Sequence, residues 1–239
     1  MGAGRLPVRS IGDVRLAAIL ESLGCPLCSV REDAARRYVD TVLAESVNDV
    51  GFRARLAAGR GFCRPHTRQI LEANRASGGG TLGTAILVAA TLRVRLRELA
   101  SLPTTRRARD RRARMSVANA ARPPDCPVCE QMGIDDSIAI DALIDGLDDP
   151  AWRSALAGAE ICLDDLLALW ARALERGVAG WAPVATAQLE RLGELADRLE
   201  GFAHHSSFDR RHLMTDAERA ASDDGVRFLG GTGPGRRAT

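Results

Sequence analysis

The sequence predicts a mainly α-helical protein of two repeated units joined by an arginine-rich linker. Three observations carry that reading. The 46% hydrophobic content rests on Ala, Leu, Ile and Val, with only five Phe, one Tyr and three Trp, a balance that favours helices over sheets. Apolar residues recur at helical spacing, as in Leu82, Ile86, Ala89, Leu92, Leu96 and Leu99. The text from Cys25 also returns from Cys126. Asn48, Asp49, Phe52, Arg53 and Leu56 reappear, offset by 100, as Asp148, Asp149, Trp152, Arg153 and Leu156, while the Cys pairs are offset by 101 and the third cysteines by 99. Agreement in order and spacing over such a stretch reads as a duplication.

The expected boundaries are a first unit over 1–102, a linker over 103–124, a second unit over 125–229 and a disordered tail over 230–239. Within the first unit, Ser29 with Glu32 reads as a capping box, which starts a helix at the second cysteine of CPLC. Tyr38, Val39, Val42 and Leu43 continue it. Asp49 and Asp149 suit the N-caps of short helices whose buried faces hold Phe52 with Leu56, and Trp152 with Leu156. Pro65 fits the first turn of a helix that places Cys63 and His66 at its start. Ser77 to Gly80 is a turn before the long helix that begins near Leu82. The linker from Pro103 to Pro124 holds Arg106, Arg107, Arg109, Arg111, Arg112 and Arg114. At the far end Leu189, Leu192, Leu195, Leu199 and Phe202 stripe another helix, and Thr215 with Glu218 caps a last one.

Charge and composition exclude several classes. The 33 basic and 31 acidic residues leave a net charge of +2, so no global field drives the chain onto nucleic acid or an anionic membrane. Every basic residue is Arg. Without lysine there is no Schiff-base nucleophile and no phosphate-loop lysine. Arg5, Arg9, Asp13 and Arg15 interrupt the N-terminal stretch before it reaches the length of a signal-peptide core, and Ala85 to Ala90 is too short to span a bilayer. A cytoplasmic address and no membrane contact are expected. In that reducing compartment, C-x-x-C spacings point to metal or thiol chemistry rather than to disulfides.

The first unit offers Cys25, Cys28, Cys63 and His66, a Cys3His set for tetrahedral zinc, with an iron–sulfur cluster as the alternative cofactor. A two-residue spacer lets one turn present two ligands, and a helix N-terminus favours thiolates. The second unit repeats Cys126, Cys129 and Cys162, with Asp165 where the first has His66. Its fourth ligand is Asp165, or Asp164, His204 or His205, unless the site has decayed. The stretch Phe202 to His212 reads otherwise as a solvated helix end.

The paired C-P-x-C, the N/D-D-x-x-aromatic-R segment, GFC-x-x-H and the closing Phe208, Asp209, Arg210 and Arg211 resemble an uncharacterised bacterial family defined only as a domain of unknown function. The resemblance runs from Ile11 to Leu229. It implies a helical protein with CxxC and CxxH elements in both halves, and it brings no activity; this chain departs from it at Asp165. The expected function is a zinc-stabilised interaction or regulatory module that binds another protein and has no catalysis. The alternatives are a metal-dependent or thiol-redox enzyme using the second cysteine site, and nucleic-acid binding through the arginine-rich linker.

Overall fold

The computed structural model describes residues 6–7, 11–20, 24–76, 78, 82–103 and 111–232. Among them the regular elements are all helical: α1 (Ile11–Leu20), α2 (Pro26–Thr41), α3 (Val50–Ala58), α4 (Arg64–Ala76), α5 (Leu82–Ala100), α6 (Arg111–Ala120), α7 (Pro127–Asp145), α8 (Pro150–Gly158), α9 (Leu163–Arg176), α10 (Trp181–His205) and α11 (Asp216–Gly230). A π-helical turn, Val42–Ser46, continues α2, and 3-10 turns occupy Gly146–Asp148 and Arg211–Leu213. The mainly α class expected from composition is the class observed.

Local rules explain most helix starts. Asp49 accepts from the Gly51 and Phe52 amides at 2.7 and 3.1 Å, and Asp149 from the Ala151 amide at 2.8 Å. Phe52 and Trp152 are each 6% exposed on the helices that follow. Arg53 reaches back to donate to the Val47 carbonyl at 2.7 Å, and Arg153 does the same to the Leu147 carbonyl at 2.6 Å. Thr215 and Glu218 form the full capping box of α11. The expected box at Ser29 and Glu32 does not start α2. Pro26, which lacks an N–H and has φ already set, opens that helix before Cys28, and the Ser29 hydroxyl donates to the Cys25 carbonyl at 3.3 Å.

The chain divides into two compact units, and they are not the sequence halves 1–102 and 125–229. The larger joins Met1–Glu32 to Gly133–Thr239, and the smaller is Asp33–Met132. The reason lies in α2 and α7, each of which serves both cores. Leu27 and Val30 pack in the larger unit with Ile140, Leu143, Trp152 and Leu169. Ala34, Ala35 and Val39 pack in the smaller with Ile70, Val128 and Met132. Each large aliphatic side chain removed from water contributes about 1.5 to 3 kcal/mol, so both cores are anchored by these two helices.

Two further expectations need correction. The stretch read as a linker contains α6, which carries Arg111, Arg112 and Arg114, and the Ala120 carbonyl at its end accepts from Arg95 at 2.8 Å. Residues 104–110, with Arg106, Arg107 and Arg109, lie outside the described residues, as do Arg5, Arg9, most of the turn at 77–80 and residues 233–239 of the expected tail. On α5 the expected stripe is not the buried one: Leu82, Leu92, Leu96 and Leu99 are exposed, whereas Thr84 and Leu87 are buried. The helix turns Leu87 toward Phe52 and Leu56, whose aromatic and aliphatic bulk sets the face that packs.

Candidate metal centres

Among the described residues each compact unit contains one cluster of four candidate ligands, and in each cluster the ligand atoms lie within 4.8 Å of one another. The smaller unit brings together Cys63, His66, Cys126 and Cys129. The larger brings together Cys25, Cys28, Cys162 and Asp165. All eight residues singled out in the sequence are therefore gathered, but the grouping differs from the expected one. The pair Cys25 and Cys28 does not meet Cys63 and His66; each C-x-x-C meets the C-x-x-H or C-x-x-D of the other sequence half.

The local geometry is simple. In α2 and α7 the first cysteine sits just before the helix, its carbonyl accepting the first helical N–H, from Ser29 at 3.1 Å and from Glu130 at 3.1 Å. The second cysteine lies in the first turn, so both sulfurs face one side. Cys63 precedes α4 in the same way, its carbonyl accepting from Thr67 at 2.9 Å, and Cys162 is the N-cap of α9. The turn into Cys63 needs Gly61, which has φ +91 and whose added Cβ would lie 2.6 Å from Thr91.

In the histidine site, His66 Nδ1 lies 3.1 Å from the sulfur of Cys63, 3.4 Å from that of Cys126 and 3.3 Å from that of Cys129. The Cys63 and Cys129 sulfurs are 3.6 Å apart. Bonds of about 2.3 Å to sulfur and about 2.0 Å to nitrogen put neighbouring ligands of a tetrahedral ion about 3.4 to 3.8 Å apart, so this donor set fits one metal ion. His66 and Cys126 are buried, while Cys63 and Cys129 are half-buried. Burial pushes the Cys126 thiol above its ordinary value.

The aspartate site is more deeply enclosed, with all four residues buried and Asp165 fully so. Asp165 Oδ2 is 2.9 Å from the Cys25 sulfur and 3.6 Å from that of Cys28, and the Cys28 and Cys162 sulfurs are 3.8 Å apart. These spacings also fit one ion, apart from the shorter contact of Cys25 with Asp165, where the thiol donates to the carboxylate. Beside the four stands Arg31, itself buried. Its guanidinium donates to both Asp165 oxygens at 2.7 and 3.0 Å, to Asp136 Oδ1 at 2.9 Å and to the Cys28 sulfur at 3.2 Å. Burial works against that cation more than any single partner favours it, but the hydrogen bond and charge of Asp165, with the charges of Asp136 and Cys28, together raise its pKa. The Cys28 thiol is held well below its usual range by hydrogen bonds from Cys162 and Cys25, with help from Thr232 and Arg31. Cys25 is pushed far up by the same sulfur contacts and by burial. The backbone of Gly231, with φ +71, passes over the site: a Cβ there would lie 3.0 Å from the Cys28 sulfur.

Sequence reasoning missed Arg31 and Asp136. A signal for Arg31 was present, since it stands three residues after Cys28 where Met132 follows Cys129, just as Asp165 stands where the other site has His66. The two departures belong together in space. The other candidate fourth ligands are not in the cluster. His205 instead pairs with Glu218 at 3.1 Å, and His204 accepts from Arg210.

The fold and its two clusters define a helical protein with two candidate metal centres, and no helix among the described residues is long and apolar enough to cross a membrane. The chain belongs to a family of unknown function, DUF6062, whose match covers residues 14–209. No curated protein and no solved structure matches it.

Proposed function

We propose that this protein is a zinc-stabilised helical module of the cytoplasm that binds or regulates another protein and carries out no chemistry of its own. The observation that supports the metal most directly is His66 Nδ1, which faces three sulfurs at 3.1 to 3.4 Å. A ring nitrogen is one donor or one acceptor. It cannot satisfy three thiols at once, whereas a single cation at the centre satisfies all four groups. Zinc suits a set of thiolates with one imidazole, and a set with one carboxylate less often. The ligand atoms lie too close together, within 4.8 Å, to enclose a multi-iron cluster, which supports a single ion.

Two features support a protein partner over catalysis. Leu92, Leu96 and Leu99 leave an apolar stripe of α5 in solvent, of the kind that marks interaction surfaces. In the histidine site all four positions of a tetrahedral ion are taken by side chains, the arrangement of structural rather than catalytic zinc. Metal analysis of protein purified under reducing conditions, followed by cobalt substitution, tests the reading. Close to two equivalents of zinc, with tetrahedral thiolate absorption in the cobalt form, is the expected result. Protein that folds fully without binding either metal would end it.

A further inference from the structure

Resting on the zinc reading above, we propose that the two centres differ in kind: the histidine site holds its ion permanently, whereas the aspartate site exchanges a borderline divalent cation while its unit stays folded.

The first support is Arg31. Without a metal, Asp165 and Cys28 already have a cationic partner, because the guanidinium donates to both carboxylate oxygens and to the sulfur. Asp136 shares the same guanidinium. The Cys25 thiol in turn donates to Asp165 Oδ2. A buried charge costs far more when left alone than when paired and hydrogen-bonded, so departure of the ion leaves Asp165 and Cys28 with hydrogen-bonded partners. In the histidine site the position that Arg31 takes beside Cys28 is held by Met132, which has no charge to offer.

The second support is the ligand itself. Both Asp165 oxygens accept from Arg31, and Oδ2, which also faces the Cys25 and Cys28 sulfurs, is shared between the guanidinium and the site. A carboxylate shared with a guanidinium is a weaker donor to a metal than a free one, because the guanidinium and the metal are two cations competing for the same oxygen lone pairs. The third support is a route. A cavity of ≈ 90 Å³ is lined by Cys25 and Cys162 and extends to Glu160 and Arg227, which are exposed. The cavity gives an ion leaving Cys25 and Cys162 a path toward solvent.

Exposure alone argues the opposite order, because Cys63 and Cys129 are half-buried and every ligand of the aspartate site is buried. Equilibrium competition therefore separates the two effects. The full-length, zinc-loaded chain is titrated with a graded series of chelators, with zinc content and helical circular dichroism read at each step. The expected result is two equivalents lost at affinities at least about tenfold apart. The weaker one is absent from Cys162→Ser and retained in Cys126→Ser, and helicity falls only with the tighter one. Arg31→Met should couple the first loss to unfolding of the larger unit. Arg31→Met combined with Asp165→His should raise the weaker affinity toward the tighter, whereas Asp165→His alone, which sets an imidazole beside the guanidinium, should not. Should Arg31→Met fail to fold, the wild-type titration still decides. Two ions lost together, loss of helicity with the first ion, or assignment of the weaker ion to Cys126 would overturn this inference and leave the zinc reading standing; a chain that binds no metal would remove the zinc reading itself.

Discussion

The first turns of α4 and α9 present the same kind of donor pair to opposite chemical surroundings. In α4, Cys63 and His66 meet two further cysteines, and Met132, three residues after Cys129, brings no charge to the position that Arg31 holds in the other site. In α9, Cys162 and Asp165 meet two cysteines followed by Arg31, which ties the carboxylate down with two hydrogen bonds. Changing imidazole to carboxylate adds a negative charge in a buried place, and the guanidinium offsets it. A ligand that looks like decay when read alone is thus half of a pair. The comparison teaches that metal dependence need not be uniform in one chain, because the residue one turn beyond the ligands decides what remains when the ion leaves.

The largest effect expected from breaking that comparison lies in the histidine site. His66→Ala or Cys63→Ser should remove the ion from the smaller unit and much of its helicity, since structural zinc contributes on the order of 10 kcal/mol, as much as a whole domain's stability. Circular dichroism with metal analysis reads both, and an equally helical, equally stable variant would count against a structural ion. Next comes Arg31→Met in the metal-free protein. Removing one partner of a buried ion pair costs about 3 to 5 kcal/mol, and denaturant unfolding of the larger unit should show it; a neutral result would mean that Asp165 does not depend on the guanidinium.

Phe52→Ala and Trp152→Ala sharpen the comparison away from the metals. Both rings are 6% exposed and follow the same kind of aspartate cap, so each should cost roughly 3 to 5 kcal/mol. A large loss at one position and none at the other would show that the two segments share only their text. The smallest effect belongs to α11, whose end lies over the aspartate site. Thr215→Ala should cost about 1 kcal/mol, read as fraying of that helix by hydrogen exchange. The Glu218 half of the same box is held below its ordinary value of 4.5, chiefly by the Thr215 backbone. Its contribution is therefore complete above that value and is lost as the pH falls through the lower folded one.

Much of this was legible in the sequence. Helical class and the caps at Asp49, Asp149 and Thr215 follow from short-range rules, because the capping partners lie within a turn, and helical spacing marked Phe52 and Trp152 as the inward face. So did the eight candidate ligands, whose spacing is itself local. Their grouping was not, since it is decided by which halves of α2 and α7 enter which core, a matter of packing between residues far apart in the chain. Arg31 escaped for a related reason. Its partners Asp136 and Asp165 are distant in sequence, and an arginine on a helix reads as a solvated side chain until the fold buries it. The start of α2 shows a local rule losing to another, where Pro26 set the first turn before the Ser29 box could.

The crossed grouping of ligands is the central claim, and paired substitutions test it most directly. Zinc stoichiometry should be measured by metal analysis for Cys25→Ser with Cys162→Ser, and for Cys25→Ser with Cys63→Ser. If the C-x-x-C of one half serves the third cysteine of the other, the first pair damages one centre and leaves one equivalent bound, while the second damages both and leaves none. The reverse pattern, with one equivalent kept by Cys25→Ser with Cys63→Ser and none by Cys25→Ser with Cys162→Ser, would mean that each half closes its own site and would contradict the account.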